Sequence, residues 1–172
     1  MSTKQYYFFK KYIKTILFFF ILVFFVCIIP AKADALVTRD TTSSGLGSWQ
    51  HTTGNQQNMI LIVGVSAVNG GSSSITYDGI ALTRIASVTC PSICHVDMWY
   101  LKNPHAGTHT IVVNNSGGFV TGGAATFYNV DLANPFGVTA TNKGLTLTGS
   151  TSVTINATTS QLIVETTGWA AA

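Results

Sequence analysis

Charge is scarce in this sequence. Only 9% of its 172 residues are Asp, Glu, Lys or Arg, and Glu occurs once, at Glu165. A chain so poor in ionisable groups builds neither salt-bridged helices nor a strongly charged docking surface. Cysteine is present at three positions, too few for a disulfide-dense scaffold or for paired metal-binding Cys motifs. Beyond the first thirty residues no stretch shows the 3.6-residue apolar period of an amphipathic helix, which excludes a helical bundle and the alternating order of an α/β fold. The Gly-x-Ser-x-Gly elbow of serine hydrolases is missing as well.

What is present divides the chain at its start. Lys4, Lys10, Lys11 and Lys14 form a positive n-region without an acidic residue, an unbroken apolar run follows from Ile16 to Ile29, and Pro30 stops it. Ala31-Lys32-Ala33 places small residues where a signal peptidase reads them, so residues 1–33 are expected to be a secretory signal peptide and Asp34 the new N-terminus. The competing reading is an uncleaved anchor, lengthened by Tyr6–Phe9, which would touch the membrane through this segment alone. Cys27 follows Val26 rather than a small residue, which argues against a lipoprotein site.

Removing the leader changes the electrostatics. The whole chain carries a formal +3, but the segment from Asp34 keeps four cations (Arg39, Arg84, Lys102, Lys143) against six acids (Asp34, Asp40, Asp78, Asp97, Asp131, Glu165), a charge of −2. Without a basic patch there is no counterion release from phosphates to drive binding, so nucleic acid is not an expected partner. Export makes the address secreted or cell-surface.

Residues 34–172 read as one all-β domain. Runs rich in Val, Ile, Thr and aromatics, separated by Gly, Asn, Ser and Pro, predict strands at Leu36–Arg39, Met59–Ala67, Ser74–Tyr77, Ala81–Val88, Val96–Lys102, Thr108–Asn114, Ala124–Val130, Gly137–Thr141, Ser152–Asn156 and Gln161–Thr166. Turns are expected at Asn69-Gly70-Gly71, Asp78-Gly79, Asn103-Pro104, Ser116-Gly117-Gly118 and Asn134-Pro135. Strands this short and close leave no room for crossover helices, so the expected fold is an antiparallel β-sandwich, jelly-roll-like, behind an N-terminal signal helix. Met59–Val63 is apolar on both faces and should be central. In the Val96–Leu101 run, alternation puts Val96, Met98 and Tyr100 on one face and Asp97, Trp99 and Leu101 on the other, so both faces should be covered.

Three blocks in order carry a resemblance: Ser74-Ile75-Thr76-Tyr77-Asp78-Gly79-Ile80-Ala81-Leu82-Thr83, Trp99-Tyr100-Leu101-Lys102-Asn103-Pro104-His105-Ala106-Gly107-Thr108, and Phe127-Tyr128-Asn129-Val130-Asp131-Leu132-Ala133-Asn134-Pro135-Phe136-Gly137. Over Met59–Gly137 the chain resembles a widespread β-sandwich module of exported bacterial surface and secreted proteins. The resemblance implies an accessory or repeated part of a larger protein, without agreed catalytic residues. It also implies a module that runs on past Ala172, so residues 34–172 are expected to be incomplete at the C-terminal side. The Cys pair and the histidines are additions to the pattern.

Candidate chemistry is sparse. Cys90 and Cys94 bracket Pro91-Ser92-Ile93 at an expected hairpin tip, and in an oxidising compartment they should form a short-loop disulfide. The competing metal site of Cys90, Cys94 and His95 is one ligand short. His105 and His109 are i, i+4 but on no helix, and are expected to be two solvated loop histidines. No metal and no cofactor is expected. Asp78 and Asp131 fall in turns and Asp97 in a strand, an arrangement that names no carboxylate pair for glycoside hydrolysis, so no enzyme is expected. Aromatics that stack on sugars are Trp49, Trp99, Tyr77, Tyr100, Phe119 and Tyr128, of which Trp49, next to Gly45-Leu46-Gly47-Ser48, is the expected exposed platform. Asn114-Asn115-Ser116 and Asn156-Ala157-Thr158 match the glycosylation sequon, which matters only in a eukaryotic secretory pathway. The expected function is a non-catalytic carbohydrate-binding or adhesive module whose partners are glycans or other surface proteins; the alternative is a structural or assembly unit, and the third reading, a secreted hydrolase, would need a cleft holding two carboxylates.

Overall fold

The computed structural model describes residues 35–89, 94–143 and 152–168. The expected signal helix and its cleavage site lie outside them, and so does Cys90. Nine strands follow in order: β1 (Thr38–Leu46), β2 (Trp49–Thr53), β3 (Ile60–Val68), β4 (Ser72–Tyr77), β5 (Ile80–Ala81), β6 (Thr83–Thr89), β7 (Cys94–Lys102), β8 (Gly107–Asn115) and β9 (Val120–Tyr128). They form two antiparallel sheets, one ordered β1-β9-β3-β7-β6 and the other β2-β8-β4-β5.

Turn chemistry sets the register. Asp78 (φ 51°) and Gly79 (φ 74°) both take the left-handed conformation that a two-residue β4–β5 hairpin requires. Asn69 and Asn103 do the same at the ends of β3 and β7, where a short amide side chain tolerates positive φ. At Leu82 the chain leaves one sheet for the other; its amide donates to the Ile75 carbonyl at 2.8 Å and its side chain is buried.

The core sits where the two sheets share side chains. Leu61, Val63, Val65 and Ala67 of β3 pack with Ile75 and Tyr77 of β4, Ile111 of β8, Trp49 of β2 and Trp99 of β7. The intervening residues of β3, Ile60 and Ile62, join a second cluster with Phe127 and Val130, flanked by Met98 and Tyr100. Both expectations for these strands therefore hold: β3 is central and apolar on both sides, and β7 turns Trp99 and Leu101 to one cluster and Met98 and Tyr100 to the other.

Chain that follows β9 covers the second cluster. Phe136 meets Tyr100 edge to face at 4.7 Å between ring centres, and Lys102 Nζ donates to the Leu132 carbonyl at 2.7 Å. Thr166 lies over Gly64, where a Cβ would come within 2.5 Å of the threonine hydroxyl. This corrects the strands expected at Gly137–Thr141, Ser152–Asn156 and Gln161–Thr166: among the described residues no strand follows Tyr128. Their composition suits a strand, but they join no ladder, and of the three only the last is seen to lie on the sheet, through Thr166.

Two further departures are at the start. β1 runs to Leu46 rather than ending at Arg39, and β2 was not expected at all. The edge strands β1 and β6 each carry a register shift, between Arg39 and Thr42 and between Arg84 and Ala86. Such bulges twist an edge away from flat pairing with another chain.

Candidate functional site

Trp49 is not an exposed platform. It opens β2 and is 7% exposed, packed in the core shared by the two sheets. Gly45 and Gly122 make room for it, since a Cβ at Gly122 would stand 2.5 Å from the far edge of the indole. Its Nε1–H donates to Ser43 Oγ at 3.0 Å. Only Gly47 and Ser48 separate β1 from β2, so no loop is left to hold the indole out, and the next side chain turns inward.

That tryptophan begins a buried polar chain that sequence reasoning missed. Ser43 Oγ lies 2.8 Å from His51 Nδ1, and His51 Nε2 lies 2.6 Å from Thr126 Oγ1. One assignment satisfies all four groups: the indole donates to Ser43, Ser43 donates to Nδ1 of a neutral His51, and Nε2–H donates to Thr126. Burial holds the His51 pKa below the ordinary histidine value, against the opposing attraction of Asp40. The signal for this chain was the alternation Trp49, His51, Thr53, all buried. A Ser beside a His invites comparison with a catalytic triad, but His51 is 1% exposed and both its nitrogens are engaged by hydroxyls. Asp40, whose charge reaches the ring, accepts the Gly54 amide at 2.7 Å.

A second buried group joins the sheets near the other edge. Asp97 Oδ2 accepts from the Ser72 amide at 3.1 Å and from Ser72 Oγ at 2.5 Å, while Trp99 Nε1 donates to the same Ser72 Oγ at 3.1 Å. Arg84 stacks on Trp99 at 5.2 Å and brings a guanidinium nitrogen to 3.9 Å from Asp97 Oδ1. The group locks sheet to sheet around a carboxylate that is 1% exposed.

The third cluster is at the surface. His105 Nδ1 lies 2.7 Å from Asp78 Oδ2, and His109 Nδ1 lies 3.1 Å from Asp78 Oδ1. The two histidines are thus not simply solvated: the Asp78-Gly79 hairpin turn, the loop after β7 and the first residues of β8 meet at one carboxylate. Tyr77 fixes that meeting, with its hydroxyl 3.3 Å from the His105 carbonyl and 3.1 Å from the Gly107 carbonyl. Burial raises the Tyr77 pKa, so the phenol stays protonated and donates. The His105 hydrogen bond, its largest influence, holds Asp78 below the ordinary carboxylate range. Among the described residues no hydroxyl or thiol is hydrogen-bonded to either imidazole.

No group of three His, Cys, Asp or Glu among the described residues is arranged to hold a metal ion. His95 Nδ1 pairs with Thr89 Oγ1 at 3.2 Å, and Cys94 is buried at the head of β7. The bridge expected between Cys90 and Cys94 falls partly outside the described residues.

The remaining surface of interest is the outward side of the four-stranded sheet. Across β2, β8 and β4 its register pairs Gln50 with Thr110, Thr52 with Thr108, Ser74 with Asn114 and Thr76 with Val112. Gln50 Nε2 donates to Thr110 Oγ1 at 2.7 Å, Thr52 and Thr108 hydroxyls meet at 2.8 Å, and Asn114 Nδ2 donates to Ser74 Oγ at 2.9 Å. None of these eight residues is charged, and each is at least partly exposed. Comparison of the chain with protein families, curated proteins and solved structures finds no match.

Proposed function

We propose that the protein is an exported, non-catalytic β-sandwich module that binds neutral glycans through the outward side of its four-stranded sheet. The observation that carries this reading is the uncharged array of hydroxyls and amides from Gln50 to Asn114, held in register by the β2–β8–β4 ladders. Such a surface offers donors and acceptors in fixed positions to a polyhydroxylated ligand and gives no electrostatic preference for an ionic one. The strand order supports the finer fold assignment. β1-β9-β3-β7 facing β2-β8-β4-β5 is the order of a jelly roll, with β6 as an added edge, and jelly rolls include lectin domains. That last link is analogy of fold and carries no residue with it.

The test is retention on immobilised neutral and acidic polysaccharides. Binding to a neutral glycan, abolished in the Thr52→Lys/Thr110→Lys double variant whose circular dichroism is unchanged, supports the reading. Retention that depends on ligand charge, or that survives the double substitution, overturns it.

A second reading, a structural or assembly unit, rests on a different observation. Leu162 and Ile163 are 53% and 57% exposed in a segment that forms no strand. It predicts self-association in sedimentation experiments that Ile163→Lys relieves; a monomer at every concentration tested would remove it.

A further inference from the structure

The geometry around His109 sets a condition on its protonation. Its Nδ1 faces Asp78 Oδ1 at 3.1 Å and its Nε2 faces the Ala106 carbonyl at 3.1 Å. A carboxylate and a carbonyl only accept, and a neutral imidazole has one N–H to give. Both contacts are hydrogen bonds only when the ring carries two protons. His105 is under no such constraint, because one N–H toward Asp78 Oδ2 suffices.

We propose that Asp78, His105 and His109 form an acid-closed clasp that fastens the β4–β5 turn to the loop between β7 and β8. In its closed form His109 donates from both nitrogens, one bond crossing to the turn and one bracing its own loop at Ala106. Deprotonation leaves two acceptors competing for one N–H, so either the crossing bond or the brace is lost. Asp78 remains an anion throughout, since its carboxyl is held below its ordinary range by His105.

The surroundings allow the clasp to act alone. The groups that face His109 are Asp78 from the turn, His105 from its own loop at 6.4 Å between ring centres, and Tyr77 from β4 at 5.4 Å. From β2, His51 is its register partner and is engaged with Ser43 and Thr126. Among the described residues no Lys or Arg pairs with Asp78. The buried His51 works in the opposite sense, favouring the folded state when neutral. A global response to acid is therefore a loss of stability, whereas the clasp predicts a local gain.

The experiment is amide hydrogen exchange on the full chain between about pH 5 and 8, the interval in which imidazoles change charge, with rates corrected for intrinsic pH dependence. Protection at residues 103–110 should be roughly threefold higher at the acid end, the size of one exposed charge-assisted contact, while β3 shows no such gain. Asp78→Asn keeps the turn, because Asn accepts positive φ, and should erase the local pH dependence. His109→Gln should erase it too, and it serves as the independent variant if Asp78→Asn folds poorly. Equal loop protection at both ends of the range overturns the clasp, as does an unchanged pH dependence in a folded variant.

Discussion

Ser43 and His51 meet at 2.8 Å between the sheets, and with the ring neutral the hydroxyl can donate to Nδ1 while it accepts from Trp49. Protonating Nδ1 would reverse that contact, leave the Ser43 O–H without its acceptor and place a charge on a ring that is 1% exposed. Because burial holds the His51 pKa below its ordinary value, the unfolded chain takes up a proton before the folded one does. The stability this residue contributes is complete above about pH 6.5 and falls away as the pH drops toward the lowered folded value. Urea unfolding at a series of pH values should show this decline. His51→Gln, which can still donate to Thr126 and accept from Ser43, should be less stable at pH 8 and flatter below it.

Trp49→Phe tests the buried placement of that indole. The substitution keeps most of the apolar volume and removes one N–H donor from the Ser43 network, so it should lower unfolding stability by about 1–2 kcal/mol. Glycan retention should be unchanged once folding is confirmed. A loss of binding without a loss of stability would return Trp49 to the surface.

Asp97 should be among the costly positions for substitution. Asp97→Ala strands the Ser72 amide and hydroxyl and leaves Arg84 without its acid, a loss of about 3 kcal/mol. Asp97→Asn keeps an acceptor toward Ser72 and should cost about 1 kcal/mol. Chemical denaturation of the two variants reads the difference.

The sequence expectation at the hairpin before β7 is also open to measurement. Protein recovered from an oxidising compartment should show no free thiol under denaturing conditions, if Cys90 and Cys94 are bridged and Cys27 has left with the leader. Reduction should then lower stability by about 2 kcal/mol or less, because so short a loop restricts the unfolded chain only slightly. Two reactive thiols would dismiss the bridge.

Legibility in the sequence followed the kind of force involved. Where burial alone decides, as at the doubly apolar β3 and the alternating β7, the pattern was readable, and so were the turns that need positive φ at Asn69, Asp78 and Asn103. β2 was hidden because Trp49-Gln50-His51-Thr52-Thr53 buries a histidine and a threonine, residues whose place inside depends on partners far along the chain. The same holds for the surface cluster, since nothing local to Asp78 announces His105 or His109. The segments after β9 failed in the opposite way: alternation reports what side chains prefer, not whether a ladder has a free edge to offer.

Among the described residues, the five-stranded sheet is covered on both sides and the other on one, which has an unequal effect on mutation. Almost any change along β3 or β9 meets packed neighbours, so these strands should drift slowly. The outward residues of β2, β4 and β8 touch chiefly one another and solvent. There the protein can be rewritten pair by pair without disturbing its interior, so new surface chemistry can arise on that side at little risk to folding.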